Sequence, residues 1–219
     1  MAGYMRRVVR DRPYGVVNDF IASTLGARIG APVPPIALIT DGSSAGSISM
    51  GFGEGGRTPP PADASRVAVD DPYLATGIIV LDQWTLNGDR HDENLAYLPR
   101  FGLAAFDFDC ALIGPKPQTT AVDSLQKGLM MPLPRHILAE HLPTLQWLWG
   151  WISKVRAVSA EDIRRCVYLC FDARLITVAE RDKLIDFLTL RQRWLGDIMD
   201  RGREIFTGID DWPLLGWGR

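Results

Sequence analysis

Lysine is scarce in this chain. Of its 24 basic residues only Lys116, Lys127, Lys154 and Lys183 are lysines, so the first 115 positions hold arginine alone. Cysteine is equally sparse: Cys110, Cys166 and Cys170 are too few and too unevenly placed for a disulfide framework. Cys166 and Cys170 lie four apart and would share one face of a helix; with no histidine near them, core packing is expected rather than zinc binding. No apolar run approaches the roughly 20 residues that would span a bilayer, and the pair Arg6-Arg7 is followed by no apolar stretch of signal-peptide type. A net charge of −2 gives no electrostatic reason for nucleic acid or an anionic membrane as partner. A cytoplasmic protein is expected. What remains is ordinary globular composition, 47% apolar and 23% charged over 219 residues, enough for one sizeable core or two small lobes.

The informative stretch runs over residues 81–114, LDQWTLNGDRHDENLAYLPRFGLAAFDFDCALIG. Asp89 sits in Asn87-Gly88-Asp89-Arg90-His91, Asn94 follows five residues later, and Asp107 lies thirteen beyond that, between Phe106 and Phe108. Two short apolar runs, 95–98 and 103–106, are parted by Pro99-Arg100-Phe101-Gly102, which predicts a hairpin. A hairpin returns the chain on itself, so Asn94 at its entry and Asp107 at its exit can meet. Phosphoryl transfer needs such a meeting: one Asp orients or deprotonates the acceptor, while an Asn and a second Asp hold Mg²⁺ against nucleotide phosphates. A polar loop with Asp89 and Asp107 as turn residues is the alternative. Three residues at this spacing, with His91 and a hairpin between them, favour the site.

GDRHDEN followed by FDF resembles the GDRHxxN and DFG elements of phosphatidylinositol 3- and 4-kinases. With the preceding LDQW it is still more similar to the bacterial HipA-like kinase family. That resemblance implies Asp89 as the catalytic carboxylate with His91 in support, and Asn94 and Asp107 as metal and nucleotide ligands. Arg90 and His91 are expected to brace Asp89 or touch phosphate, and Asp92 and Glu93 to be solvated. Asp109 stands where a DFG triplet has glycine; its carboxylate either joins the metal shell or restricts the loop.

Upstream, a strand is predicted over 5–11 with Tyr4, Val8 and Val9 inward, then a helix over 16–29 ended by Gly30. The prolines of 31–35 impose an extended path, followed by strands over 36–40 and 46–52 around a turn at 41–44. The segment VVNDFIASTLGARIGAPVPPIALI also resembles its HipA-like counterpart, with Asn18-Asp19 where that family has Asn-Glu. In the kinase plan a strand lysine binds phosphate and pairs with this acid. Here Arg7, or Arg6, takes the nearest place; Arg7 and Asp19 are the expected nucleotide-side residues. A guanidinium is bulkier than an ammonium and would shift the phosphates. The glycine-rich phosphate-covering hairpin has no room before residue 1. Three readings stay open: a truncated lobe, a partner that supplies the missing part, or lost catalysis.

Residues 53–65 are rich in Gly and Pro and read as a joint between lobes, or as a dispensable loop, with an adenine-contacting hinge near 50–54 in the kinase plan. Asp71 as N-cap and Pro72 as first helical residue open a helix to about 86. A polar loop follows at 114–120. Helices are predicted over 134–151, with Pro143 as a break, from Ser159 to about 173, and from the capping box Thr177…Glu180 to about 206. The last should turn Leu184, Ile185, Leu188, Leu190, Leu195, Ile198, Met199 and Ile205 inward. The tryptophans read as packing anchors, and the tail 210–217 docks on the body or on a partner.

The expectation is therefore an α+β, protein-kinase-like two-lobe fold, with a reduced N-terminal lobe over 1–65 and a mainly helical catalytic lobe over 66–219. The implied activity is Mg²⁺-dependent transfer of the ATP γ-phosphate to a hydroxyl acceptor, a protein Ser/Thr by the resemblance. A pseudokinase working through protein contacts is the alternative.

Overall fold

The structure, a computed structural model, describes residues 3–41, 44–50, 60–98, 102–209 and 212. Residues 42–43 of the turn at 41–44, residues 51–54 of the hinge, most of the joint at 53–65, the hairpin tip at 99–101 and most of the tail fall outside that set. Three strands, β1 (Gly3–Arg7), β2 (Ile36–Asp41) and β3 (Ser44–Met50), make an antiparallel sheet in the order β1-β3-β2, with Arg6 opposite Ser47. The apolar residues of the first segment do not point inward. Tyr4, Met5, Val8 and Val9 are all exposed, and the strand stops at Arg7. The inward position of this edge strand belongs instead to Arg6, because the sheet faces a cluster of carboxylates there.

Helix α1 (Gly15–Ile29) lies between sheet and helices, packing on β2 and β3 and on the later helices α3 (Pro72–Thr85), α5 (Leu148–Arg156) and α6 (Ala160–Asp172). Burial on both sides explains why twelve of its fifteen residues are buried, Asn18 and Asp19 among them. Gly30 ends it in the left-handed region, its N–H returned to the carbonyls of Ala27 and Gly26.

Helix α2 (Ala64–Asp70), capped by Asp63, has no counterpart in the sequence reading. Its approach is pinned rather than loose: the Ala62 N–H donates to the Leu95 carbonyl (2.9 Å), and the Ala64 N–H to Asp92 Oδ1 (2.9 Å). Asp92, expected to be merely solvated, holds this helix start. Helix α3 (Pro72–Thr85) begins where the sequence reading puts it, with Asp71 Oδ1 accepting the Leu74 N–H at 3.1 Å. From Ala75 to Thr85 every residue is buried. Neighbouring helices come close at two glycines: a Cβ on Gly26 would lie 2.7 Å from Leu81, and one on Gly77 only 2.5 Å from the Trp151 ring. Asp71→Ala should lower stability by about 1 kcal/mol through loss of the cap, with a similar loss for Thr177→Ala; unchanged urea midpoints for both would overturn these assignments.

The hairpin is β4 (Leu95–Leu98) against β5 (Gly102–Ala105), with Leu95 opposite Ala105. After it come α4 (Ala121–Gly128), capped by Thr120 and unforeseen, then α5 (Leu148–Arg156), α6 (Ala160–Asp172) and α7 (Val178–Arg201). The single helix expected over 134–151 is a 3-10 turn, Ala139–His141, followed by an extended link into α5. Pro143 is the cause: the residue before a proline is pushed out of the helical region, and Leu142 sits at ψ 124°. Ser159 and Thr177 cap α6 and α7, the latter with the full reciprocal capping box.

One hydrophobic cluster runs from Val17 to Phe206 and includes Cys166 and Cys170. Trp84 and Trp151 anchor it, whereas Trp147 and Trp194 stay partly exposed. On α7, Leu190 faces out and Arg191 beside it is fully buried. The Arg191 guanidinium donates to the carbonyls of Trp84 (2.9 Å), Gly128 (2.7 Å), Leu129 (3.1 Å), Met131 (3.0 Å) and Gln83. It thereby satisfies the carbonyl ends of both α3 and α4, where a cation is favoured. Burial draws its pKa down to about 9. Among the described residues no helix is long and apolar enough to cross a membrane.

Candidate active site

Helix α3 ends in Leu86 at φ 54°, a left-handed turn that throws the chain toward the sheet. The loop that follows is tied back by Asp82, a fully buried carboxylate one turn above it. Asn87 donates to Asp82 through its side chain (2.9 Å) and its N–H reaches the Asp82 carbonyl (2.8 Å). Arg90 grips the carboxylate with two nitrogens, Nε to Oδ2 at 2.8 Å and Nη2 to Oδ1 at 3.0 Å, the strong bidentate form. Its remaining nitrogen donates to the carbonyls of Phe106 (2.8 Å) and Asn94 (3.2 Å), and the guanidinium lies 4.5 Å over the Phe108 ring. Arg90 therefore locks the helix end, the loop and both sides of the hairpin together.

His136 completes the clamp. Its Nε2 lies 3.0 Å from Asp82 Oδ2 and its Nδ1 accepts the Leu138 N–H, which places the ring proton on Nε2. Burial pushes the Asp82 carboxyl upward, but the Arg90 charge and the bonds from His136 and Arg90 outweigh it and hold the pKa near about 2.

This frame presents the three residues singled out from the sequence. Asp89 is exposed. Its carbonyl accepts the Asn94 Nδ2 (3.0 Å), and its carboxylate accepts the Cys110 thiol at 3.3 Å. Asn94 is buried, with its Nδ2 also 3.1 Å from His91 Nε2. His91 thus orients Asn94 and makes no hydrogen bond to Asp89. Across the hairpin the Phe106 N–H donates to the Asn94 carbonyl at 3.1 Å, so the two ends meet as the spacing predicts. Asp107 follows in the left-handed region at φ 59°, an uncommon conformation that Asp tolerates better than most residues.

The turn at Asp107 sends the Phe108 N–H to Asp19 Oδ1 (3.2 Å) and drives Asp109 inward, where only 2% of its side chain is exposed. Asn18 holds that turn through the carbonyls of Asp109 (2.7 Å) and Gly114 (3.0 Å). The cation expected at Arg7 is instead Arg6. Strand alternation leaves Arg7 in solvent, whereas Arg6 reaches Asp107 Oδ1 and Asp109 Oδ2, each at 2.6 Å, and its Nε lies 3.7 Å from Asp19 Oδ2. Arg12, unremarked in the sequence, binds Asp109 as well. Burial pushes the Asp19 carboxyl up to about 6, since Arg6 and the Phe108 N–H offset it only in part. At Asp109 burial also pushes upward, but bonds from Arg12 and Cys110 with the two arginine charges prevail and hold it below the usual range. Asp109 fastens the loop to two arginines, and its carboxylate also lies within 4.8 Å of ligand atoms of Asp89 and Cys110.

The donor set fits a hard divalent cation and a polyphosphate. Asp107 and Asn94 offer carboxylate and amide oxygens of the kind Mg²⁺ prefers, and the buried Arg6 Nε has no hydrogen-bond partner, leaving a donor for an anionic oxygen. Beside Asp89 a cavity of about 260 Å³ opens between Asn87, His91, Arg135, Ile137 and Glu140.

No protein-family model and no curated protein matches the chain. Among solved structures it is similar to the Helicobacter pylori proinflammatory kinase CtkA, at 14% identity and a TM-score of 0.55, over 89% of this chain and 85% of that one. It also aligns with HipA of Shewanella oneidensis, solved with HipB and operator DNA, at 13% identity and a TM-score of 0.45, over 92% of this chain and 60% of HipA. At such identities it is the fold that is shown: the likeness to CtkA gives this chain a kinase-like α+β fold, of the kind the HipA-like resemblance of residues 81–114 implies.

Proposed function

We propose that this chain is a HipA-like kinase that transfers the γ-phosphate of ATP to a hydroxyl, with a protein serine or threonine as the acceptor the resemblance implies. The observation that carries the reading is that Arg90 ties the Asn94 carbonyl to that of Phe106, next to Asp107, while Asn94 bonds the Asp89 carbonyl and a guanidinium, Arg6, pairs with Asp107. Asp89, exposed beside the cavity, accepts the acceptor's hydroxyl proton or orients that hydroxyl. Asn94 and Asp107 would hold Mg²⁺, which when bound neutralises charge on the transferring phosphate. Arg6 donates to phosphate oxygens and is held near them by Asp109, with Asp19 as a further counter-charge. His91 keeps the Asn94 amide turned so that its oxygen is free for the metal.

A second reading, a pseudokinase acting through protein contacts, is favoured by one feature: an arginine, Arg6, stands where the kinase plan has its phosphate-binding lysine. A thermal-shift titration with ATP and MgCl₂ separates the two. A nucleotide at 100 times its Kd should stabilise the protein by about 2.7 kcal/mol, and label from γ-³²P-ATP should reach protein hydroxyls. No shift at millimolar ATP would overturn the kinase reading in favour of the second.

A further inference from the structure

Arg6 faces more carboxylates than it can satisfy. A guanidinium is a rigid, planar fork. Here its two terminal nitrogens are spent on Asp107 Oδ1 and Asp109 Oδ2, both at 2.6 Å. The third nitrogen points toward Asp19 but stops at 3.7 Å, buried and without a hydrogen bond. Asp109 has a second counter-ion in Arg12; Asp107 has no other cation within ion-pair distance among the described residues. The Arg6–Asp107 bond thus takes an oxygen of the carboxylate that the phosphotransfer reading assigns to a divalent cation, and it does so with a positive charge that would repel one.

Two things would loosen that bond. The buried Nε, 3.7 Å from Asp19, leaves the guanidinium short of one hydrogen bond and free to settle closer to Asp19, and Asp107 is the more exposed of its two close partners, 37% against 2% for Asp109. A phosphate reaching Arg6 would therefore compete for the outer nitrogen and free Asp107, while Asp109 keeps the guanidinium tethered. Building on the phosphotransfer reading above, we propose that Arg6 is an internal counter-cation that closes Asp107 to divalent metal until a phosphate-bearing nucleotide draws it away, so that metal and nucleotide enter as a coupled pair. The coupling is reciprocal by necessity: nucleotide raises metal affinity by the factor by which metal raises nucleotide affinity.

Mn²⁺ is the probe, because its free and bound forms are counted directly by electron paramagnetic resonance. Titrations of wild type, Arg6→Gln and Arg6→Lys are compared with and without a non-hydrolysable ATP analogue. In its absence Arg6→Gln should bind Mn²⁺ at least tenfold tighter than wild type. The analogue should raise wild-type Mn²⁺ affinity at least tenfold but change that of Arg6→Gln by less than threefold. Arg6→Lys, whose single ammonium cannot bridge Asp107 and Asp109 as the fork does, should fall between. Equal Mn²⁺ affinity of wild type and Arg6→Gln without nucleotide overturns the proposal. If Arg6→Gln does not fold, as melting curves would show, equal affinity of Arg6→Lys and wild type overturns it in the same way. A wild type that binds metal alone but no analogue would end the phosphotransfer reading and the release of Arg6 with it. The metal-only ratio between wild type and variant still decides whether Arg6 closes Asp107.

Discussion

Asp82→Ala is expected to lower stability by about 3–5 kcal/mol, enough to unfold a large share of the molecules at body temperature. The cost follows from what is left behind: Arg90, whose side chain is 1% exposed, would keep its charge in the interior with its bidentate partner gone. It would also lose its hold on the carbonyls of Asn94 and Phe106, so the loop carrying Asp89 should loosen before the rest of the chain. Urea denaturation gives the total, and amide exchange at residues 87–94 gives the local part. A loss under 1 kcal/mol would mean that water reaches the clamp. The same group sets an acid limit. Its folded pKa, about 2, lies below the unfolded value of about 3.9, so its contribution is complete above pH 4 and disappears as pH falls through 2. Asp19, raised by burial to about 6, works in the opposite sense: its contribution is present below pH 4 and is lost as pH rises through 6. Asp82→Asn should therefore flatten the acid limb of the stability curve while leaving the change near pH 6.

The other large effect separates the two exposed carboxylates. Asp107→Asn should weaken Mg²⁺-dependent nucleotide binding by tenfold or more, since this group would meet the metal before any reaction. Asp89→Asn should leave that affinity within about threefold yet slow single-turnover transfer by roughly 10²–10⁴-fold, the range for loss of a positioned general base. Calorimetry and rapid-quench kinetics on the same preparations check both. The reverse order of affinities would show that their roles are exchanged.

What could be read without coordinates was local. Asp71-Pro72 marks a helix start because cap and φ-restricted proline are properties of adjacent residues, and the 95–98 and 103–106 runs mark a hairpin for the same reason. The bond between Asn94 and the Asp89 carbonyl and the hairpin that brings Asn94 to Phe106 are local in the same way, whereas the partner of Asp107, Arg6, lies 101 residues away. The rest was not, because it depends on distant neighbours. Arg6 rather than Arg7 faces Asp19 only because a strand's apolar alternation was overruled by carboxylates 101 and 103 residues away. Asp82 looks like any helical Asp until Arg90 and His136 arrive from outside the helix. Helix α2 hides in a Pro-rich stretch, its start fixed by Asp92. One signal of them does stand in the sequence: Asp82 and Arg191 are charged residues set in otherwise apolar helix faces, and a buried charge implies a partner.

Arg191 also puts the site on a schedule. Its bond to the Trp84 carbonyl joins positions 107 residues apart, and it also reaches the Gln83 carbonyl, so the end of α3, from which the Asp89 loop hangs, is braced by a residue of α7. A chain made at roughly 5–20 residues per second reaches Arg191 some 5–20 s after Trp84. Through that interval the loop is already synthesised, with the Asp82–Arg90 clamp in its own stretch of chain, but the brace from Arg191 is still to come. A nascent chain stalled anywhere between the hairpin and α7 would carry every acid of the site without the part of its rigidity that α7 supplies.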